Sequence, residues 1–172
     1  MRKIIYASLV LFCIVVVFFY INELLYSPLN KREFKMLFPN YDSNIKKECD
    51  IDFIGMSIKG ELFDLYQYKS VRGQISSTYP DIIGQWENRE LSADVIVPKW
   101  KECPPDSITM ERCDIIFSSD NYKKHQCSHS FQSELGNDCN YYTYIYFNEL
   151  EYYFLLYIPD KEKLYYIRKR GF

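Results

Sequence analysis

Eighteen consecutive residues near the start of this chain, Ile4 to Ile21 (IIYASLVLFCIVVVFFYI), carry no charge. As one helix rising about 1.5 Å per residue they would reach roughly 27 Å, close to the hydrocarbon thickness of a bilayer. A helix on a globular surface shows polar residues every turn, which this run does not. No small-x-small cleavage site follows, since the next residues read NELLYSPLN. Cys13 lies deep inside the run behind bulky Phe12, unlike a lipoprotein processing site. The pattern therefore predicts an uncleaved signal-anchor over residues 1–25, with residues 4–21 in contact with the membrane. Arg2 and Lys3 ahead of the run, weighed against Lys31, Arg32 and Lys35 behind it, favour a cytoplasmic N-terminus. The expected placement is single-pass in the cytoplasmic membrane, with an extracytoplasmic (periplasmic) C-terminal part.

Of 21 basic and 23 acidic residues, Arg2, Lys3 and Glu23 belong to this stretch, leaving 19 against 22. A nucleic-acid-binding domain carries a basic excess, so that function class is disfavoured. The cluster KEKLYYIRKR near the C-terminus reads as the solvated end of a strand.

Residues 26–48 read as a short helix and a polar connection. Ser27 is placed as N-cap and Pro28 at the first helical position, Phe34, Leu37 and Phe38 share a face, and Pro39 stops the element. Residues 49–172 read as an α+β domain with an antiparallel sheet and two or three short helices. Ile58, Gly60 and Leu62 alternate with Lys59 and Glu61, and a bulge near Leu62-Phe63 shifts the phase to Phe63 and Leu65. Val71 to Pro105 reads as loops and short helical turns holding Trp86 and Trp100, and Ile108 to Phe117 as a strand with Cys113, Ile115 and Phe117 on one face. The clearest pattern is a three-stranded meander, Tyr141–Phe147, Tyr152–Ile158 and Leu164–Lys169, with loops of hairpin length between them. Setting Phe147 opposite Tyr152 and Ile158 opposite Lys163 groups Tyr142, Tyr144, Tyr146, Tyr153, Tyr157 and Tyr166 on one face. Neither face is polar, so both are expected to be covered.

His125 and His129, in the segment NYKKHQCSHSFQSEL, are the chain's two histidines. Helical spacing stacks Cys127, Phe131 and Leu135 as the buried stripe and sets the histidines on the far side. An i, i+4 histidine pair supplies two corners of a metal site but does not define one, and no H-E-x-x-H occurs. The pair is a weak candidate and no metal is expected. Five cysteines lie beyond the apolar run, and the shortest loops suggest Cys103–Cys113 and Cys127–Cys139 disulfides, with Cys49 left over. There is no C-x-x-C, P-loop, G-x-S-x-G or dinucleotide fingerprint, and no cofactor is called for.

Nine of the 17 tyrosines fall between Tyr141 and Tyr166. Tyrosine suits recognition surfaces through its large area and polar tip, so the six sheet-face tyrosines named above form the candidate binding surface. It is also a good strand residue, and that alone explains much of the enrichment. The leading expectation is a non-catalytic binding module of the cell envelope with a protein partner, which either holds an assembly or neutralises an arriving protein in the manner of an immunity-type inhibitor. An envelope enzyme using His125, His129 or a free cysteine competes with it, as does a purely structural anchored domain.

Overall fold

The structure is a computed structural model that describes residues 6, 8–17, 28–41, 44–55, 61–118 and 126–171, with 114–118 described by secondary structure alone. The chain divides into two units, Met1–Asn30 and Lys31–Phe172. In the first, residues 8–17 are helical and exposed. Among the described residues no helix is long and apolar enough to cross a membrane. This overturns the expected transmembrane helix over residues 4–21 and, with it, the single-pass membrane placement.

The second unit is built on one antiparallel sheet. Its elements in chain order are α1 (Lys31–Leu37), β1 (Lys46–Asp52), β2 (Leu62–Lys69), β3 (Gln85–Trp86), β4 (Arg89–Glu90), β5 (Lys101–Glu102), α2 (Ser107–Ser118), α3 (Gln126–Leu135), β6 (Tyr141–Asn148), β7 (Glu151–Ile158) and β8 (Lys163–Arg170). Six strands join in the order β1-β2-β8-β7-β6-β5, and β3 pairs with β4 as a separate two-residue ladder. The meander read from the sequence is β6-β7-β8. Its second hairpin has the expected register, Ile158 opposite Lys163.

The first hairpin does not. Tyr146, not Phe147, stands opposite Tyr152, and the ladder shifts before Asn148 pairs with Glu151. One extra residue turns every preceding side chain of β6 to the other face. Tyr142, Tyr144 and Tyr146 therefore share a face with Tyr152, Phe154, Leu156, Tyr165 and Ile167, while Tyr153, Tyr157 and Tyr166 lie on the opposite one.

Both faces are covered, as the absence of a polar face requires. On the first, Phe131 of α3 packs its ring 6.1 Å from Phe154 and 5.5 Å from Tyr165, and Cys113 of α2 joins the same cluster. Phe131 and Leu135 are buried as the helical spacing predicts. On the second face, α1 sets Phe34 against Tyr68 (5.4 Å), Phe38 just after it stands against Tyr157 (4.7 Å), and the long segment from Val71 places Trp86 beside Tyr166 (5.9 Å). Trp86 and Trp100 are both buried in that segment. The helix α1 starts at Lys31, later than the Ser27-Pro28 signal implies; Ser27 itself and the alternation at Ile58 and Gly60 lie outside the described residues.

The segment read as a strand from Ile108 is helix α2. Asp106 caps it, its Oδ1 accepting from the Thr109 amide at 2.8 Å. Thr109 and Cys113, one turn apart, are its buried stripe. The period-two alternation of Cys113, Ile115 and Phe117 coexists with this helical period and loses to the cap.

The disulfide is Cys49–Cys127, which ties β1 to α3 across 78 residues of sequence. Cys103, Cys113 and Cys139 take no part in a disulfide among the described residues, so the two short-loop bridges expected from locality are both corrected. Sheet order decides the pairing: it brings β1 next to β2 on the face that α3 covers.

Candidate functional site

The six candidate tyrosines separate by burial as well as by face. Tyr153, Tyr157 and Tyr166 have at most 3% of their surface exposed, and so does Tyr142. Tyr144 and Tyr146 alone of the six are half-buried on the face beneath α2. Two cations lie on this tyrosine row. The Arg112 guanidinium stands 4.3 Å from the Tyr146 ring centroid and 5.3 Å from that of Tyr152. The Lys101 ammonium stands 5.7 Å from Tyr144 and 5.9 Å from Tyr142. Each of these contacts contributes about 0.5–1 kcal/mol at an exposed site.

Two apolar residues complete the patch. Ile96 exchanges both backbone hydrogen bonds with Tyr146 (3.0 and 2.9 Å), so its side chain stands beside that ring. Ile108 lies one helical turn before Arg112 on the same side of α2. They are 53% and 61% exposed, respectively. Asp106 borders the row: its Oδ2 is 3.8 Å from Lys101 Nζ and accepts from the Tyr142 hydroxyl at 3.4 Å. The Asp106 carboxyl is held below its usual range, first by the hydrogen bond from the Thr109 backbone. Beneath the row the Tyr152 hydroxyl is buried with no hydrogen-bond partner among the described residues, and burial pushes its ionisation far upward.

The opposite face carries a buried ion network. Arg168 donates through Nε and Nη2 to Asp64 Oδ2 (3.1 and 2.5 Å), through Nη2 to the Tyr66 hydroxyl (2.8 Å), and through Nη1 to Glu87 Oε2 (3.2 Å). Glu87 and Asn88 form the β3–β4 turn with φ of 46° and 63°, the left-handed pair that a two-residue hairpin requires. Trp86 Nε1 donates to the Tyr166 hydroxyl (2.7 Å), which bonds Glu87 in turn. Burial holds the Asp64 and Glu87 carboxyls above their usual range, against the opposing pull of Arg168. Nearby, Arg89 pairs with Glu151, which also accepts from the Tyr153 hydroxyl at 2.7 Å. Apart from Arg89, whose side chain is 38% exposed, these groups are mutually satisfied and largely shielded from solvent, and their role is to hold the hairpin to the sheet.

The thiols of the second unit offer little nucleophilic character. Burial pushes Cys103 up to about 12, Asp138 raises Cys139, Cys113 is buried, and Cys127 is bridged. His129 is exposed on α3, and His125 lies outside the described residues. Among the described residues no group of three or more His, Cys, Asp or Glu side chains is placed to hold a metal ion.

No family model, curated protein or solved structure matches this chain. Its site is therefore read from its own geometry.

Sequence reasoning singled out Tyr144 and Tyr146 but missed Arg112, Lys101, Ile96 and Ile108. One signal for α2 was present: Asp106 follows Pro104-Pro105 and precedes the run SITMER, a helix start that would have set Ile108 and Arg112 on one face.

Proposed function

We propose that this chain is a non-catalytic binding module whose contact surface is the Tyr144–Tyr146 row with Arg112, Lys101, Ile96 and Ile108. The observation that carries this reading is the Arg112 guanidinium lying 4.3 Å over a half-buried Tyr146 with an exposed isoleucine on either side. Tyrosine and arginine dominate the energetics of protein interfaces, and they do so when packed side by side among apolar neighbours. Both cations are held by the rings they cover, so little side-chain entropy remains to be lost on contact. A protein partner with an apolar surface and flanking carboxylates fits this patch. Such a contact either holds an assembly or blocks an incoming protein.

The test is quantitative crosslinking with the full chain as bait. A partner recovered by the wild type is expected to be lost, by about 30-fold or more, in Tyr146→Ala and Arg112→Ala, as befits central interface residues. Gln132→Ala, on the exposed side of α3, is expected to keep it. If every partner survives Tyr146→Ala and Arg112→Ala equally, the reading fails.

A further inference from the structure

A second cleft, away from the tyrosine row, lies between α1 and the segment that follows Pro80. Its volume is about 560 Å³, within the range of small-molecule sites. Its lining is Lys31, Arg32, Lys35, Met36, Asp81 and Ile83. Three of these six side chains are cationic and one is anionic. Lys31 and Lys35 are one turn apart on α1 and so project from the same side. The helix's own carboxylate, Glu33, is buried and does not belong to the lining.

The cleft is held open by its walls. The Asp81 amide donates to the Met36 carbonyl at 2.7 Å, joining the loop to the end of α1. Arg32 Nη1 donates to Gln85 Oε1 at 2.7 Å, which fixes the direction of the guanidinium. Leu37 and Phe38, directly behind, are in the core, so α1 cannot shift without disturbing the Phe38–Tyr157 contact. One apolar residue stands at the cleft with most of its surface in water: Ile83 is 68% exposed, and Met36 beside it is half-buried. An isolated exposed isoleucine is ordinary. This one shares a ligand-sized cleft with three lining cations, which sets an apolar surface beside positive charge.

We propose that this cleft binds a small oxyanion carried on a short apolar stem, with Lys31, Arg32 and Lys35 around the anionic head and Ile83 with Met36 against the stem. The cations supply attraction and orientation for a phosphate or carboxylate head, with Arg32 presenting a planar fork to its oxygens. The isoleucine distinguishes such a ligand from a bare anion. The site is independent of the tyrosine row, and neither proposal needs the other.

The probes are inorganic phosphate, which has the head alone, and octyl phosphate below its micellisation concentration, which has head and stem. Both are titrated into the full chain by calorimetry at low and high salt. Octyl phosphate is expected to bind at least about 10-fold more tightly than phosphate, because its stem removes apolar surface from water. The double variant Lys31→Ala/Lys35→Ala is expected to weaken both probes by about 10-fold or more, and Ile83→Ser to weaken octyl phosphate alone, by about 5-fold. All three positions are exposed, so the variants keep the fold, which circular dichroism verifies. Equal affinity for the two probes, with no effect of Ile83→Ser, means general attraction to a positive surface and overturns the proposal. Absence of binding by either probe overturns it too.

Discussion

Single side chains set two sharp expectations. The Tyr152 hydroxyl is buried without a partner among the described residues, an arrangement that costs about 1–3 kcal/mol of desolvation. Tyr152→Phe is therefore expected to leave stability unchanged or raise it by about 1 kcal/mol in urea denaturation. A loss of 2 kcal/mol or more would mean the hydroxyl has a bonding role. Arg168 is the reverse case, because it is the common partner of two buried carboxylates. Arg168→Met is expected to cost about 3–5 kcal/mol at neutral pH, since it strands Asp64 and Glu87 as uncompensated charges. Burial already raises both carboxyls, so the folded protein takes up their protons more readily than the unfolded chain does. Their contribution favours folding as pH falls through the folded-state values and is lost as pH rises. The deficit of Arg168→Met should accordingly shrink in mild acid, and a deficit independent of pH would contradict the assignment.

At the level of elements, α2 depends on Asp106 and α3 on Cys127. Asp106→Ala is expected to cost about 1 kcal/mol, the usual contribution of an N-cap, whereas Asp106→Asn keeps the cap. The folded-state pKa of Asp106 is lowered, so its contribution is present above the unfolded value and is lost as pH falls through the folded one. Asp106→Asn should therefore flatten the acid limb of the stability curve, and an unchanged limb would show that other carboxylates produce it. The Cys49–Cys127 bridge closes a loop of 78 residues' separation, for which the chain-entropy model gives about 4.5 kcal/mol. Cys49→Ser/Cys127→Ser is expected to lower stability by that order, measured against the wild type without reductant. A loss below about 1 kcal/mol would mean the unfolded chain is already restricted.

At the largest scale the second unit is a sheet with aromatic residues packed against both faces, and among the described glycines Gly73 leaves the least room for a side chain. A Cβ there would come within 2.4 Å of the Phe38 ring. The Tyr157 hydroxyl donates to the Gly73 carbonyl at 2.9 Å beside that contact. Gly73→Ala is therefore expected to cost about 1–3 kcal/mol by overpacking, read as a fall in the denaturant midpoint. An unaffected midpoint would mean that α1 yields easily, and the α1 cleft would then lose its rigid wall.

How much of this was legible beforehand depended on distance along the chain. Local signals carried the meander, whose strands and second hairpin follow from alternation and loop length, and they carried the buried stripe of α3. They also implied that both faces of a sheet so rich in tyrosine, phenylalanine and leucine must be covered. Where two local periods fit one segment, as in α2, alternation pointed the wrong way and the cap at Asp106 decided. The bulge before Asn148 has no mark in composition, yet it moved Tyr142, Tyr144 and Tyr146 to the other face and so chose which tyrosines reach solvent. The partners of Cys127, Arg168 and Arg112 are long-range: β1 for the first, β2 with the β3–β4 turn for the second, and β6 with β7 for the third. A sequence states which groups need a partner, because burial of charge and of backbone polar atoms is costly wherever it occurs. Which partner each one meets follows from strand order and register, which depend on the packing of the whole sheet.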